Sequence, residues 1–452
     1  TTKEHSSVSA EAAVLTGSCS AIRLVRQLSA SEGANTASSS PLAFTYSVQR
    51  GLLAFVNAAS ELHILRIASE GTAEYDPNAP VEVVLKEQLP MTSTSYIGWD
   101  PSAEACLAIA LRGFGIALWR CDTDSGVQMW SGMSYRSNLI PLKQSSKAFD
   151  PVFAKWNSAG QLVAGMTDGS FAVYDSVNSQ VSVCQKAGKH RSAITAGDWL
   201  QSLFAPALAL ASTSVIKVSQ GFDSTEWPST SMKLKLGATA GRSRSISSPL
   251  GSLRKSGSDP EGLEFTDIAF SPNGKYLAAL AAPCPAPSHK QVVVYELQDR
   301  RHSLLPIKEI MPTESSSAMP FGIAWLANSS LIVFSRASES VSFSHMSPKG
   351  SSIQSYILSE GGGGNRWPPA GAEAPGRLLQ AKASAQGLIA AGFETANGEG
   401  ILIVFGPKLT ILQQQVLDAP PVSIKFDSPK DGSAYVTVGL LKGGIKVFEL
   451  VP

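Results

Sequence analysis

This chain has little cysteine and little charge. Among 452 residues there are five cysteines (Cys19, Cys106, Cys121, Cys184 and Cys284), an odd number with no C-x-x-C pair. The simplest reading of that count and spacing is a reduced, cytosolic protein without structural zinc. Charged residues make up 16% of the chain, and 37 Lys plus Arg against 36 Asp plus Glu leave a formal net charge of +1. A balance so near zero exerts no bulk pull on nucleic acid or anionic lipid. No apolar run reaches the ~18 residues that a membrane-spanning helix needs. The opening TTKEHSSVSAEAA lacks the basic-then-apolar order of a signal peptide, so residues 1–18 are expected to be a flexible extension.

Catalytic signatures are missing too. There is no G-x-x-x-x-G-K-[ST], no G-x-S-x-G and no H-E-x-x-H. The six histidines (His5, His63, His190, His289, His302 and His345) have no metal-ligand spacing, and the glycine run 361–364 has no strand-to-helix context to make it a phosphate cradle. No enzymatic activity, cofactor or metal is therefore expected.

Hydrophobic residues, at 43%, are abundant, as are turn formers, with 38 Gly and 27 Pro. They are arranged as short runs between turns, most clearly over 149–199. Residues 152–156 (VFAKW) stop at Asn157-Ser158-Ala159-Gly160, and 162–166 (LVAGM) stop at Thr167-Asp168-Gly169. Then come 171–174 (FAVY) and 181–184 (VSVC), and Gly188-Lys189-His190 leads into 193–199, where the pattern restarts. Runs of this length bounded by Asn, Asp and Gly are half-buried strands joined by hairpins. A sheet of four such strands cannot bury both faces alone and must stack on copies of itself. That is the logic of a β-propeller blade.

The same unit recurs along the chain. First strands end at Tyr46, Trp99, Trp156, Trp199, Phe270, Trp325, Ala383 and Phe426, mostly with an aromatic residue. The spacing is mostly roughly 43–58 residues, slightly longer than a WD40 repeat. The last copy, with its third strand at 445–448, lacks a fourth strand, whereas 21–28 (AIRLVRQL) is a strand without a hairpin partner. Supplying the missing strand from the N-terminus would close the ring and remove two exposed edges. The expected fold is thus an all-β propeller over 19–452 with eight blades, or seven if the last unit belongs to something downstream.

WD-type punctuation is present but worn. His190 precedes a first strand, Asp168 sits in the turn between second and third strands, and Tyr174-Asp175 stands where Trp-Asp would be. Trp119 keeps the aromatic but is followed by Arg120. These four, Asp168, Tyr174, His190 and Trp119, read as buried polar links that lock blade geometry. Trp99-Asp100 also spells the dipeptide, but it ends a first strand and carries no weight as a repeat marker. Two insertions, 237–259 and 361–376, are too polar or too Gly/Pro-rich to fold by themselves and read as disordered loops. The first carries Arg242 and Arg244 near Ser247-Ser248-Pro249, where phosphorylation of Ser248 would place charge among arginines. The second presents Trp367, a candidate anchor for a partner.

Several stretches resemble the N-terminal propeller of the intraflagellar transport protein 144 family, the WD-repeat-19-type subunits of complex A. They are 21–28, Ile97-Gly98-Trp99-Asp100 with 116–119, Ala154-Lys155-Trp156, 171–175, Gly188-Lys189-His190 followed by Ile194-Thr195, and 215–220. Gly188 to Thr195 is the most specific part; similarity fades beyond Gln220. The resemblance implies a non-catalytic scaffold in the cilium or flagellum and basal body. Its partners would be other WD-repeat and helical-repeat subunits of complex A, in retrograde transport and import of ciliary membrane proteins. Family members continue into a second propeller and a helical-repeat tail, and these 452 residues contain neither, which leaves a fragment or a divergent relative as readings. A WD-type adaptor of a vesicle coat, nuclear pore or ubiquitin ligase is the rival reading.

Overall fold

The computed structural model describes residues 21–28, 43–67, 81–91, 93–102, 106–122, 129–132, 150–177, 180–184, 190–200, 207–213, 215–220, 234–235, 263–283, 291–297, 304–310, 319–325, 331–336, 340–346, 353–359, 366–367, 376–384, 387–406, 411–427, 434–441 and 443–451. These residues hold strands, turns and one 3-10 turn, Val48–Arg50, and no α-helix. No helix among them is long and apolar enough to cross a membrane.

The strands form eight small sheets, here numbered in chain order by their first strands. Those first strands are Ala43–Ser47, Thr94–Trp99, Pro151–Trp156, Ile194–Leu200, Leu263–Phe270, Met319–Trp325, Arg377–Ala383 and Pro421–Asp427. Seven sheets have four strands, each hydrogen-bonded antiparallel to the next. Sheet 3 is representative: Pro151–Trp156, Gln161–Met166, Phe171–Asp175 and Gln180–Cys184 pair in order. Its second strand is buried from Leu162 to Met166, and Val163 and Ala164 lie almost wholly out of solvent on opposite faces. A strand buried on both faces needs neighbours on both sides, which small alternating apolar residues allow.

Sheet 8 takes its outermost strand from the other end of the sequence. Ala21–Leu28 pairs antiparallel with Ile445–Val451, from Ala21 opposite Val451 to Leu28 opposite Ile445. A bulge lies between Leu24 and Arg26, and Arg23 forms an ion pair with Glu449. This is the pairing expected from the unpartnered N-terminal strand.

The core is a series of layers between sheets. Trp119, Ile109 and Leu107 of sheet 2 meet Leu62, Ile64 and Leu89 of sheet 1. Trp156, Leu162 and Tyr174 of sheet 3 meet Cys106, Ala108 and Leu118 of sheet 2. Similar clusters join each later sheet to the next. The eighth unites Val25, Leu28, Ile445 and Val447 of sheet 8 with Phe44, Tyr46, Leu53 and Phe55 of sheet 1. First strands of successive sheets touch one another, including those of sheets 8 and 1. The fourth strand of sheet 1, Glu82–Gln88, faces outward, and no side chain in it is buried. Each large apolar side chain buried between sheets contributes roughly 1.5–3 kcal/mol, so the stacking, and not any single sheet, carries the stability.

The 361–376 insertion departs from the loop expected. Arg366–Trp367 is a short strand running parallel to the fourth strand of sheet 6, Ile353–Ser359, with Trp367 opposite Leu358. An outer strand presents unpaired amides and carbonyls, and a returning segment satisfies some of them.

Candidate functional site

In three sheets the tryptophan that closes the first strand ties it to the inner strand of the preceding sheet. Trp156 Nε1 donates to Gly98 O at 3.0 Å, Trp199 Nε1 to Lys155 O at 3.1 Å, and Trp325 Nε1 to Ala269 O at 2.8 Å. In each case the accepting carbonyl belongs to the residue just before the closing aromatic of the preceding sheet. The indole fills the apolar gap between two sheets and spends its one donor on the neighbour's backbone. Gly98 permits this at sheet 2, since a Cβ there would collide with the Tyr96 hydroxyl. That hydroxyl is hydrogen-bonded to the Trp156 backbone, and burial pushes its pKa up.

The position before the closing aromatic also carries charge. Lys155 Nζ lies 2.6 Å from Asp198 Oδ1, and Asp198 Oδ2 accepts the Phe270 amide at 2.7 Å. Three successive inner strands are thereby tied together. Burial works against the Lys155 ammonium, but the Asp198 carboxylate outweighs it and raises the pKa. Burial raises Asp267, with Lys382 and Lys155 opposing. Lys425, at the same position in sheet 8, is different. Its Nζ donates to Ile97 O at 3.2 Å and lies 5.7 Å from the centre of the Phe44 ring. Burial, helped by the like charge of Lys382, lowers its pKa to about 8.

A polar residue follows the last residue of the first strand in several sheets and caps the turn. Asn157 Oδ1 accepts from the amides of Ala159 and Gln161 at 3.0 and 2.8 Å. Ser271 and Ser384 do the same through their hydroxyls toward Tyr276 and Leu388, at 2.9 and 3.1 Å. In sheet 2 the cap is a carboxylate. Asp100 Oδ1 accepts the Ser102 amide at 2.7 Å, while Oδ2 is buried with no hydrogen-bond partner. Asp100 is 0% exposed.

These features converge on one cavity of about 340 Å³ at the ends of the first strands of sheets 8, 1 and 2. Tyr46, Tyr96, Trp99 and Phe426 supply aromatic walls; Asp100, Asp427, Arg50 and Lys425 supply charge. The Arg50 guanidinium is spread over Ser47 Oγ, Asp100 O and Ser102 O at 3.2, 3.3 and 2.8 Å. Asp427 Oδ2 accepts the Val48 amide at 3.1 Å. The Trp99-Asp100 pair, without weight as a repeat marker, is thus part of the cavity wall. Nothing local in the sequence marks it, because its neighbours Lys425 and Arg50 come from other sheets.

The residues singled out from sequence lie elsewhere. His190 is 3% exposed, with Nδ1 2.7 Å from Ser212 Oγ in its own sheet and its amide donating to Gly169 O of sheet 3 at 2.8 Å. Gly169 has φ +81, and a Cβ there would strike the His190 carbonyl, so the turn of sheet 3 is pressed against the start of sheet 4. Trp119 is buried, and its Nε1 donates to Glu87 Oε2 at 2.8 Å across the boundary with sheet 1. Tyr174 is buried edge-on to Trp156 and its hydroxyl accepts from Arg120 Nη2 at 2.8 Å. Asp168 departs from the expected buried link: it is exposed, and its carboxylate caps its own turn through the Ser170 amide at 2.9 Å. The turn 167–170 projects from the sheet, so a carboxylate there reaches nearby amides without leaving water. Arg242, Arg244 and Ser248 lie outside the described residues, as does the whole 237–259 insertion; Trp367 occupies the short parallel strand. Among the described residues no three His, Cys, Asp or Glu side chains gather as a metal site would require.

Small four-stranded antiparallel sheets stacked face to face, inner strand to inner strand, define the WD40-type β-propeller fold, and this chain has it. No protein-family model and no curated protein sequence matches it. Solved structures do. The structure of Sqt1 from Saccharomyces cerevisiae superposes with a TM-score of 0.61 at 11% identity, over 96% of this chain and all of that one. Sqt1 from Chaetomium thermophilum gives 0.56 at 12%, over 95% and 100%. The Dos1 propeller gives 0.52 at 12%, over 97% of each chain. At such identities the likeness concerns the fold.

Proposed function

We propose that this chain is a non-catalytic interaction scaffold, and specifically a propeller subunit of intraflagellar transport complex A. The general part rests on how the sheets are held. Indole-to-carbonyl bonds, the Lys155–Asp198 bridge and apolar layers fix neighbouring sheets to one another, which leaves turns and outward strands as surfaces of defined shape. Rigid frames with variable loops suit recognition of several partners at once. The specific part is carried by the sequence resemblance, strongest over Gly188 to Thr195. Two of its residues have structural work that is compatible with this reading: His190 joins sheets 3 and 4, and Ile194 is buried between them.

Affinity purification of the tagged chain from ciliated cells, followed by mass spectrometry, tests both parts. Recovery of complex A subunits in near-equal amounts is the expected result. Reproducible recovery of vesicle-coat, nuclear-pore or ubiquitin-ligase subunits in their place would keep the scaffold and discard the ciliary assignment. A chain that elutes alone at every salt concentration would discard both.

A further inference from the structure

Of the four charged groups on the wall of the cavity between sheets 8, 1 and 2, three are accounted for. Arg50 is spread over three oxygens, Asp427 holds the Val48 amide, and Asp100 is sealed from solvent. Lys425 is different. It is half-buried, and its side chain passes sheet 1 to reach the Ile97 carbonyl of sheet 2. Lys425 and Ile97 both belong to the cavity wall, so the bond between them runs along it. An ammonium has three N–H donors, and this carbonyl takes one. The Phe44 ring supplies a further contact, but no carboxylate among the described residues pairs with the cation. The charged neighbour that acts on it is Lys382, one residue before the end of the first strand of sheet 7, and that is a second cation. A half-buried cation with donors to spare and a like charge beside it is destabilising, and an anion in the cavity offsets that cost.

We propose that this cavity binds a small organic monocarboxylate, its carboxylate on the Lys425 ammonium and its aromatic or aliphatic body against the wall formed by Tyr46, Tyr96, Trp99 and Phe426. The volume of about 340 Å³ lies at the small end of ligand pockets, which suits a single ring or short chain with its acid group. The charge of the ligand follows from the rest of the wall. Asp100 and Asp427 stand on it too, and their field opposes a second negative charge, so a phosphate dianion fits less well than a carboxylate. The aromatic residues favour an apolar body over a hydrated one. The site requires no covalent step and is independent of which proteins the scaffold gathers.

The test uses the purified 452-residue chain and five probes: phenylacetate, hexanoate, phenylacetamide, acetate and inorganic phosphate. Isothermal titration calorimetry reads affinity, and the melting temperature with each probe provides a second readout. The expected result is saturable binding of phenylacetate, hexanoate or both. Phenylacetamide should bind about tenfold or more weakly than phenylacetate, as loss of one charge-assisted hydrogen bond implies. Acetate, which lacks the apolar body, should be weaker by a similar factor than the better of the two larger acids. Lys425→Met should bring phenylacetate down to the affinity of its amide. Lys382→Gln changes the neighbouring charge without altering the cavity wall and should have a smaller effect than Lys425→Met. If Lys425→Met is unfolded, the probe series on the unaltered chain still decides. Acid and amide binding equally, displacement of the acid by an equal concentration of phosphate, or no saturable binding tighter than about 1 mM by either larger acid would overturn the proposal. So would unchanged binding in a folded Lys425→Met variant.

Discussion

Acidification should weaken the fold through His190, and the size of the effect follows from its surroundings. The imidazole is 3% exposed, bonded through Nδ1 to Ser212, with Nε2 left without a partner and the buried Lys217 nearby. Burial first, and the lysine second, lower its pKa from 6.5 to about 3. The unfolded chain therefore takes up a proton between pH 6.5 and 3 that the folded chain refuses. The stability due to the neutral histidine is complete above pH 6.5 and is lost as pH falls toward 3. At pH 5 the unfolded state has gained about 1.5 pH units of protonation, equivalent to about 2 kcal/mol. The assay is urea denaturation followed by tryptophan fluorescence at pH 7.5, 6 and 5, on the parent and on His190→Asn. The variant is itself expected to be less stable at neutral pH by about 1–3 kcal/mol, having lost a buried contact. The informative quantity is therefore the slope with pH. The parent should lose about 2 kcal/mol more than the variant between pH 7.5 and 5. Parallel curves would mean that the ring is hydrated or already protonated in the folded protein, and the argument from burial would fall.

Deleting residues 1–29 should lower the melting temperature and cause aggregation, because Val25 and Leu28 are buried between sheets 8 and 1 and each contributes roughly 1.5–3 kcal/mol. Deleting residues 1–11 alone should do neither, and a monomeric, fully stable 1–29 deletion would refute a structural role for the strand; slow hydrogen exchange at Ile22 and Leu24 is the independent check. Trp199→Phe removes the indole bond to Lys155 O and should cost about 1–3 kcal/mol; a change within error would show the bond to be dispensable. Asp198→Ala removes the partner of Lys155 and leaves the buried Phe270 amide without its acceptor, so its urea midpoint should fall further than that of Lys155→Ala, and equal losses would assign the effect to the ion pair alone.

Most of the architecture was legible in the chain because its determinants are local. A strand of five to seven residues is written in alternation of period two, and its end in Asn, Asp or Gly. Hence the first strands ending at Tyr46, Trp99, Trp156 and the rest could be read directly, as could Ala21–Leu28, whose lack of a hairpin partner matched an incomplete last sheet. The burial of His190 and Trp119 was equally foreseeable from their place in the repeat. What the sequence could not express is how neighbouring sheets meet. Trp156 reaches Gly98, Lys425 reaches Ile97 and Arg50 reaches Ser102, across separations that no local pattern encodes. Asp168 and Asp100 are both aspartates at turns, yet one lies in water and the other is sealed at 0% exposure. The difference is that one turn projects from its sheet while the other is covered by residues of sheet 1. The candidate cavity belongs wholly to this second kind of information, since its wall is assembled from residues 45–50, 96–101, 158 and 425–427 only when the stacking of sheets brings the two ends of the chain side by side.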